Sequence, residues 1–553
     1  VRIIPLRKLI VAGIVLLMMP VAFGQSSRVR VPAPPTLSYR IGGDPREITD
    51  PGLDVVAAKR RYVCSTDGND ADNGLTQATA WATVRKVVAE QANIPQGSII
   101  AFCRGGSWAG FAQFNGVQWG DPGNITAFGA YGTGNPPQFS RDVRFYDSSY
   151  FIVRDWRAQR FVTELNTHDF AFAYNTCAAT DQVPSNCMPI GGPSYQGVLV
   201  ENFLYDINQN DFISVHTSGA NSDISNRDGW WIMDNRAIGS EGAEDCIDVS
   251  TSNLGDPVWG SDGHLTKDIK VVGNKCAMQA LNGTSTLTGR TQTVIQVGHS
   301  GAYTWVVGNI GGYTKSTALY WGTSGNPNRD WGQVSGNVFF DVATNWENNS
   351  VNCIGGDTIE FSHNTFLHDG STRNVVDTAC AGIKINHNII YFTNADNQEY
   401  LVTTQTPDPQ IVAMDGNWYG SGTNRLITDD QTLAQRQRQT AFDDNSQQGD
   451  LVGITAPAQA TWGDPRDWDD RAFLALLTPD NGWRGCKGAS TPGAFGCAAA
   501  DAAGTKLGHV INPITGAPNN GCGWNGGDFA PLVKAKLIEL GITYTNCAKA
   551  WGF

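Results

Sequence analysis

Apolar and polar positions alternate with period two in short stretches between Gly197 and Asn417, and one local pattern recurs there. In each copy an apolar residue stands three places before an Asn. The pairs are Leu199 with Asn202, Ile232 with Asn235, Val271 with Asn274, Val306 with Asn309, Val334 with Asn337, Phe361 with Asn364, Ile385 with Asn388 and Met414 with Asn417. Successive Asn residues are 33, 39, 35, 28, 27, 24 and 29 positions apart, a loose period of roughly 31 of the kind that repeat architectures show. The position four before the Asn is mixed, and Ile269, Ile359, Ile383 and Val412 restore apolar character one residue earlier. Such alternation predicts strands with one buried face. A strand this short buries nothing alone, but stacked copies share a continuous core. The Asn is expected to end its strand at a bend, through its tolerance of left-handed backbone, and to bond the equivalent amide one coil away.

A second strand follows in most copies: Ile213–Val215, Ile247–Val249, Ile295–Val297 and Leu319–Trp321. Two or more short strands per coil, with no helices between them, describe a right-handed parallel β-helix. Residues 61–480 resemble the pectate-lyase-like, right-handed β-helix superfamily, in an all-β solenoid with an N-terminal capping helix and a Cys-rich C-terminal cap. The entry supports this. A Tyr62-Val63 strand, a Gly/Asp turn, a helical spacing of Trp81, Val84, Val87 and Val88, and the Gly97–Phe102 strand resemble the plugged end of secreted members.

Residues 1–24 read as a signal peptide, with Arg2, Arg7 and Lys8 before an apolar run. Residues 25–60 read as an exposed leader and 481–553 as a C-terminal cap or tail containing a helix at Pro531–Glu539. Twelve cysteines, all after the signal, suit an oxidising compartment, extracellular or periplasmic. Sequence neighbours would pair as Cys64–Cys103, Cys177–Cys187, Cys246–Cys276, Cys353–Cys380, Cys486–Cys497 and Cys522–Cys547. A net charge of -13 argues against a nucleic-acid partner. No stable membrane insertion is expected after signal removal, the oligomeric state stays open, and no nucleotide, flavin, haem or zinc signature is present.

The three longest spacings run from Asn202 to Asn309, so their loops lie side by side and build a groove. Aligning the second strands there sets Ser214, Asp248, Gln296 and Tyr320 on neighbouring coils, with Asp248 outward, His216 diagonal to it, and Trp321 next to Tyr320. Glu244 and Asp245 resemble the paired acids of polygalacturonases, which activate water and protonate the leaving oxygen. The His of that family precedes its strand, whereas His299 follows one here. In the alginate and chondroitin lyases of this fold, a Lys and an Arg follow the strand; Ser250 and Gly298 match those positions. A lyase would therefore use His299 or His216 as base, with a cation such as calcium held by acids of the groove; Asp211 and Asp245 are the expected pair. Arg290, Lys315 and Arg329 are the nearest basic residues, and Arg290, Lys315, Gln296, Tyr320 and Trp321 the expected substrate contacts. Trp231, Trp259, Trp305, Trp321 and Trp331 suit sugar stacking as well as packing. His363 and His387 fit a structural ladder. The resulting expectation is a secreted enzyme that cleaves a polysaccharide, an acidic one by the resemblance, by hydrolysis or β-elimination. A non-catalytic polysaccharide-binding or adhesion protein is the alternative.

Overall fold

The computed structural model describes residues 59–477 apart from 122–124, 179–185, 193, 206–210, 217–229, 240–243, 251–266, 279–292, 299–301, 315, 323–331, 343–348, 355–358, 369–374, 379, 381, 393–401, 405–410, 421–425, 429–430, 440–441, 450–453 and 469–470, together with a strand pair at 510–511 and 518–519. Three long sheets of 13, 11 and 13 strands run through it, and every strand in them pairs in parallel with its equivalent one coil away. The chain visits the sheets in turn, once per coil, in the right-handed sense that parallel crossovers take. This is a parallel β-helix, as the pattern and the resemblance imply.

The first sheet carries the strands that end at the Asn residues. Leu199, Ile232, Val271, Val306 and Val334 are fully buried, and Phe361, Ile385 and Met414 nearly so. At roughly 1.5–3 kcal/mol for each fully buried apolar side chain, this single row is a large share of the solenoid's cohesion. One departure is instructive. A bulge shifts the last strand so that Ile411, not Val412, lies opposite Ile383, and Val412 is 50% exposed.

The Asn side chains form a continuous ladder. Each backbone N–H and each Nδ2 donates to the Oδ1 of the next coil at 2.9–3.2 Å, from Asn202 to Asn417. Nδ2 also bonds a strand carbonyl, as Asn309 does to Val271 at 2.9 Å. The ladder starts one coil earlier than expected: Asn175, three places after buried Phe172, donates to Asn202. It ends at Ser446, whose hydroxyl accepts from the Asn417 amide. The left-handed residue is not the Asn but the one before it: Glu201, Asp234, Gly273, Gly308, Gly336, His363, His387 and Gly416 all have φ between 47° and 69°. The turn reverses first, and the Asn amide is then aimed into the stack.

Directly after each Asn comes a short strand of the second sheet, such as Arg236–Ile238, and the third sheet holds Ile213–His216, Asp245–Ser250, Thr293–Gly298 and Thr317–Gly322. Early coils are filled by aromatics in a stack, Phe114 on Phe145 on Phe151 on Phe170. The N-terminal helix Val84–Ala89 starts at Thr83, whose side chain accepts from the Lys86 amide, and Asp70 clamps the approach by accepting from Ala82 and Thr83. Val87 and Trp81 from this segment join the core. At the far end a helix spans Leu433–Gln439. The chain beyond it anchors through buried Trp468, which packs with Phe473 and Leu477 over Tyr313, Phe340 and Leu367. Four of the expected disulfides form: Cys64–Cys103, Cys177–Cys187, Cys246–Cys276 and Cys353–Cys380. The expected signal peptide, most of the expected leader, the expected helix at 531–539 and the two C-terminal cysteine pairs lie outside the described residues. Among the described residues no helix is long and apolar enough to cross a membrane.

Candidate functional site

The outward face of the third sheet carries the acid cluster. Ile247 and Val249 point into the core, which turns Asp248 outward between Ser214 and Gln296, with Tyr320 one coil further. His216 and Ser250 stand in the next row, followed by Gly298 and Gly322. Gly298 and Gly322 bring no side chain to this row, and the Tyr320 ring folds across it at Gly322, where a Cβ would come within 2.5 Å of the ring.

His216 Nε2 and Asp248 Oδ2 are 2.5 Å apart, and Gln296 Nε2 donates to Asp248 Oδ1 at 3.2 Å. Asp211 joins this pair. It lies five residues before His216, roughly 16 Å away if the chain were extended, but the backbone bends at Phe212. One ligand-type atom each of Asp211, His216 and Asp248 falls within a 4.8 Å circle of the others. Asn186, beside the Cys177–Cys187 disulfide, donates to Asp211 at 3.4 Å; nothing in its spacing marked it in advance.

Burial decides the protonation. Asp211 is pushed up to about 7, first by desolvation and then by the Asp248 charge, against a smaller pull from His216. Asp245 is driven well above the usual carboxylate range by desolvation and by Asp211 and Asp248. For His216, burial opposes the charged ring, but the hydrogen bond and charge of Asp248 outweigh it and raise the pKa. All three shifts favour the protonated forms of groups that lie close together, an arrangement that suits general acid–base chemistry.

The other expected site residues are dispersed. Asp245 is 4% exposed and its Oδ1 accepts from the Thr293 amide at 2.9 Å, so it braces the strand start beneath the cluster. Glu244 is half-buried at the edge, where its charge acts on Asp211 and Asp245. Trp321 is a core residue: it alternates with Tyr320 and shares the inward row of Val297, so it cannot meet a substrate in the groove. Trp231 and Trp305 are buried on the first sheet, flanking Lys270, whose Nζ lies 4.7 and 5.5 Å from their rings. His299, Arg290, Lys315, Arg329, Trp259 and Trp331 lie outside the described residues. His363 and His387 stack with centroids 5.0 Å apart in the ladder's turn row. The Asp211, His216 and Asp248 set offers one imidazole nitrogen and two carboxylates; this suits a first-row divalent ion better than calcium, which takes oxygen ligands.

No family model matches the chain, and no curated protein matches it. Among solved structures it is similar to a rhamnogalacturonan lyase at 13% identity, with a TM-score of 0.37 over 67% of this chain and 89% of that one. An alginate lyase from Paenibacillus sp. str. FPU-7 aligns at 10% identity and a TM-score of 0.29, over 70% of this chain and 99% of that one. A GH136 lacto-N-biosidase from Eubacterium ramulus aligns at 10% identity and a TM-score of 0.29, over 71% and 68% of the two chains. The likeness is one of architecture, and function is read from this chain's own side chains.

Proposed function

We propose that the protein is an exported enzyme that cleaves a glycosidic bond of a polysaccharide at the Asp211, His216 and Asp248 cluster. The observation that carries this is the convergence of three titratable side chains from two coils on the outward face of the third sheet, with Asp211 poised at about 7. In the reading favoured by spacing, Asp211 donates its proton to the leaving oxygen. One oxygen of Asp211 and one of Asp248 lie within 4.8 Å of each other, which suits the about 5–5.5 Å carboxyl separation of a retaining pair better than the about 6.5–9.5 Å of an inverting one. Asp248, oriented by Gln296 and His216, bonds the anomeric carbon as the glycosidic bond breaks, and water that gives its proton back to Asp211 then displaces it. Elimination is the second reading, favoured by the His216–Asp248 bond, because a deprotonated His216 is a suitable base for the proton beside a uronate. An acid-rich lane suits a neutral sugar at the cleavage point, or an anionic one accompanied by a cation. Export is supported by the four disulfides, which persist in oxidising compartments.

The test is a screen of plant and algal polysaccharides read for reducing ends and for absorbance of an unsaturated product. Reducing ends alone mean hydrolysis, and both signals mean elimination. Asp248→Asn and Asp211→Asn should each lower turnover at least ~100-fold with an unchanged melting temperature. Full activity in both variants would remove the cluster from the chemistry, and retention on polysaccharide without product would leave a binding protein.

A further inference from the structure

The row of the third sheet that contains Asp248 continues toward the N-terminal end, where it meets an unusual surface. Phe111 is 55% exposed, and the Arg144 guanidinium lies 4.3 Å from its ring centroid. Arg144 is fixed: its Nε and Nη2 donate to Asp142 Oδ2 at 2.9 and 2.6 Å, and Asp142, 2% exposed, is gripped from the other side by Arg160. Val143 and Phe145 point into the core, so Arg144 faces outward as Asp248 does. Registration links the two. Arg144 lies beside Val162, Val162 by the Thr163–Ile190 pairing beside Pro189, Pro189 beside Ser214, and Ser214 beside Asp248. They share one row, four strand spacings or on the order of 19 Å apart.

A single aromatic face in water, backed by a rigid cation, is not an apolar patch of the size a protein partner would cover. It is the size of one pyranose ring, whose C–H face stacks on aromatics while its hydroxyls stay wet. A linked pyranose also advances a polymer by a length close to one strand spacing. We infer that Phe111, one coil beyond Arg144 and backed by it, is a distal subsite that stacks a sugar about five residues away from the bond positioned at Asp248. This rests on the polysaccharide reading above.

The test separates the two. In an active protein, Phe111→Ala should reduce the preference for polymer over di- and trisaccharide fragments about tenfold, through KM rather than kcat, and Phe111→Trp should restore it. An unchanged preference overturns the subsite and leaves the Asp248 cluster standing. Affinity gels containing polygalacturonate, alginate, xylan or chondroitin give a readout independent of turnover, in an Asp248→Asn background. Retardation of Asp248→Asn that is lost on adding Phe111→Ala supports the subsite even where no product forms. Equal migration of the two, or no retardation of either in any gel, overturns it.

Discussion

Asn309→Ala is the sharpest probe of what holds the coils in register. The Asn309 side chain takes part in four hydrogen bonds. Its Nδ2 donates to Val271 O and Asn337 Oδ1, both at 2.9 Å, and its Oδ1 accepts from the Asn274 N–H at 2.9 Å and from Asn274 Nδ2 at 3.0 Å. Two of the groups left behind keep another partner, because Asn274 Nδ2 still reaches Ile232 O and Asn337 Oδ1 still accepts from the Asn309 amide. The Asn274 N–H keeps none of these bonds, whereas the Val271 C=O stays within the paired strands of the first sheet. One orphaned buried donor gives a loss of roughly 1–3 kcal/mol. Gln333→Ala, at a half-buried outward position, should cost within about 0.5 kcal/mol. Urea unfolding of both variants, followed by tryptophan fluorescence, measures the difference as a shift in midpoint. Coincident curves for Asn309→Ala and Gln333→Ala would refute the idea that the ladder, rather than the core alone, sets stability.

Three further outcomes are expected. If Asp211 is the proton donor, turnover should fall as pH rises through about 7, and that limb should vanish in the residual activity of Asp211→Asn. His363 is pushed down to about 3, first by burial and then by His387. Between its ordinary value near 6.5 and about 3 the unfolded chain takes up a proton that the folded chain refuses, so this share of stability is whole above 6.5 and lost as pH falls. His363→Gly, which copies Gly336 at the same turn, should make the acid-side loss of stability shallower by about one proton, as read from denaturation midpoints across pH. Peptide mapping of non-reduced protein should recover Cys353 linked to Cys380 and Cys246 linked to Cys276; finding either pair as free thiols would contradict the fold.

The solenoid was legible because its signal is chemical as well as periodic. An Asn whose both amide ends are used repeats in sequence wherever it repeats in space, so eight of the nine rungs could be read directly. Asn175 follows Phe172 by the same rule, and it escaped only because the coil before it presents the Trp156 amide instead of another Asn. The second sheet was not legible: three residues such as Arg236–Ile238 are too few to show a period. Alternation placed Asp248 outward and His216 diagonal to it, as found. It also placed Trp321 inward beside Leu319, which the expectation of sugar stacking ignored. Alignment set Asp211 beside Asp245 on the next coil, but it did not show that a bend at Phe212 brings Asp211 onto His216 and Asp248 as well. Glu244 and Asp245 drew attention as neighbouring acids, yet the Thr293 amide turns Asp245 into a brace.

Every rung of the ladder points the same way. Each Asn gives its backbone hydrogen and one amide hydrogen to the coil that follows, and its Oδ1 receives from the coil before, so a coil is complete only when its successor is in place. A chain emerging from synthesis therefore always carries one rung with nothing to donate to, and that debt passes forward coil by coil. Ser446 settles it: its hydroxyl accepts from Asn417, and the segment bearing it is seated by the buried Arg436–Asp443 pair at 2.8 Å and by Tyr419 on Asp443. A chain cut before residue 446 would keep all eight rungs from Asn175 to Asn388 satisfied and still expose a growing end, able to accept another copy's coil in place of its own last turn.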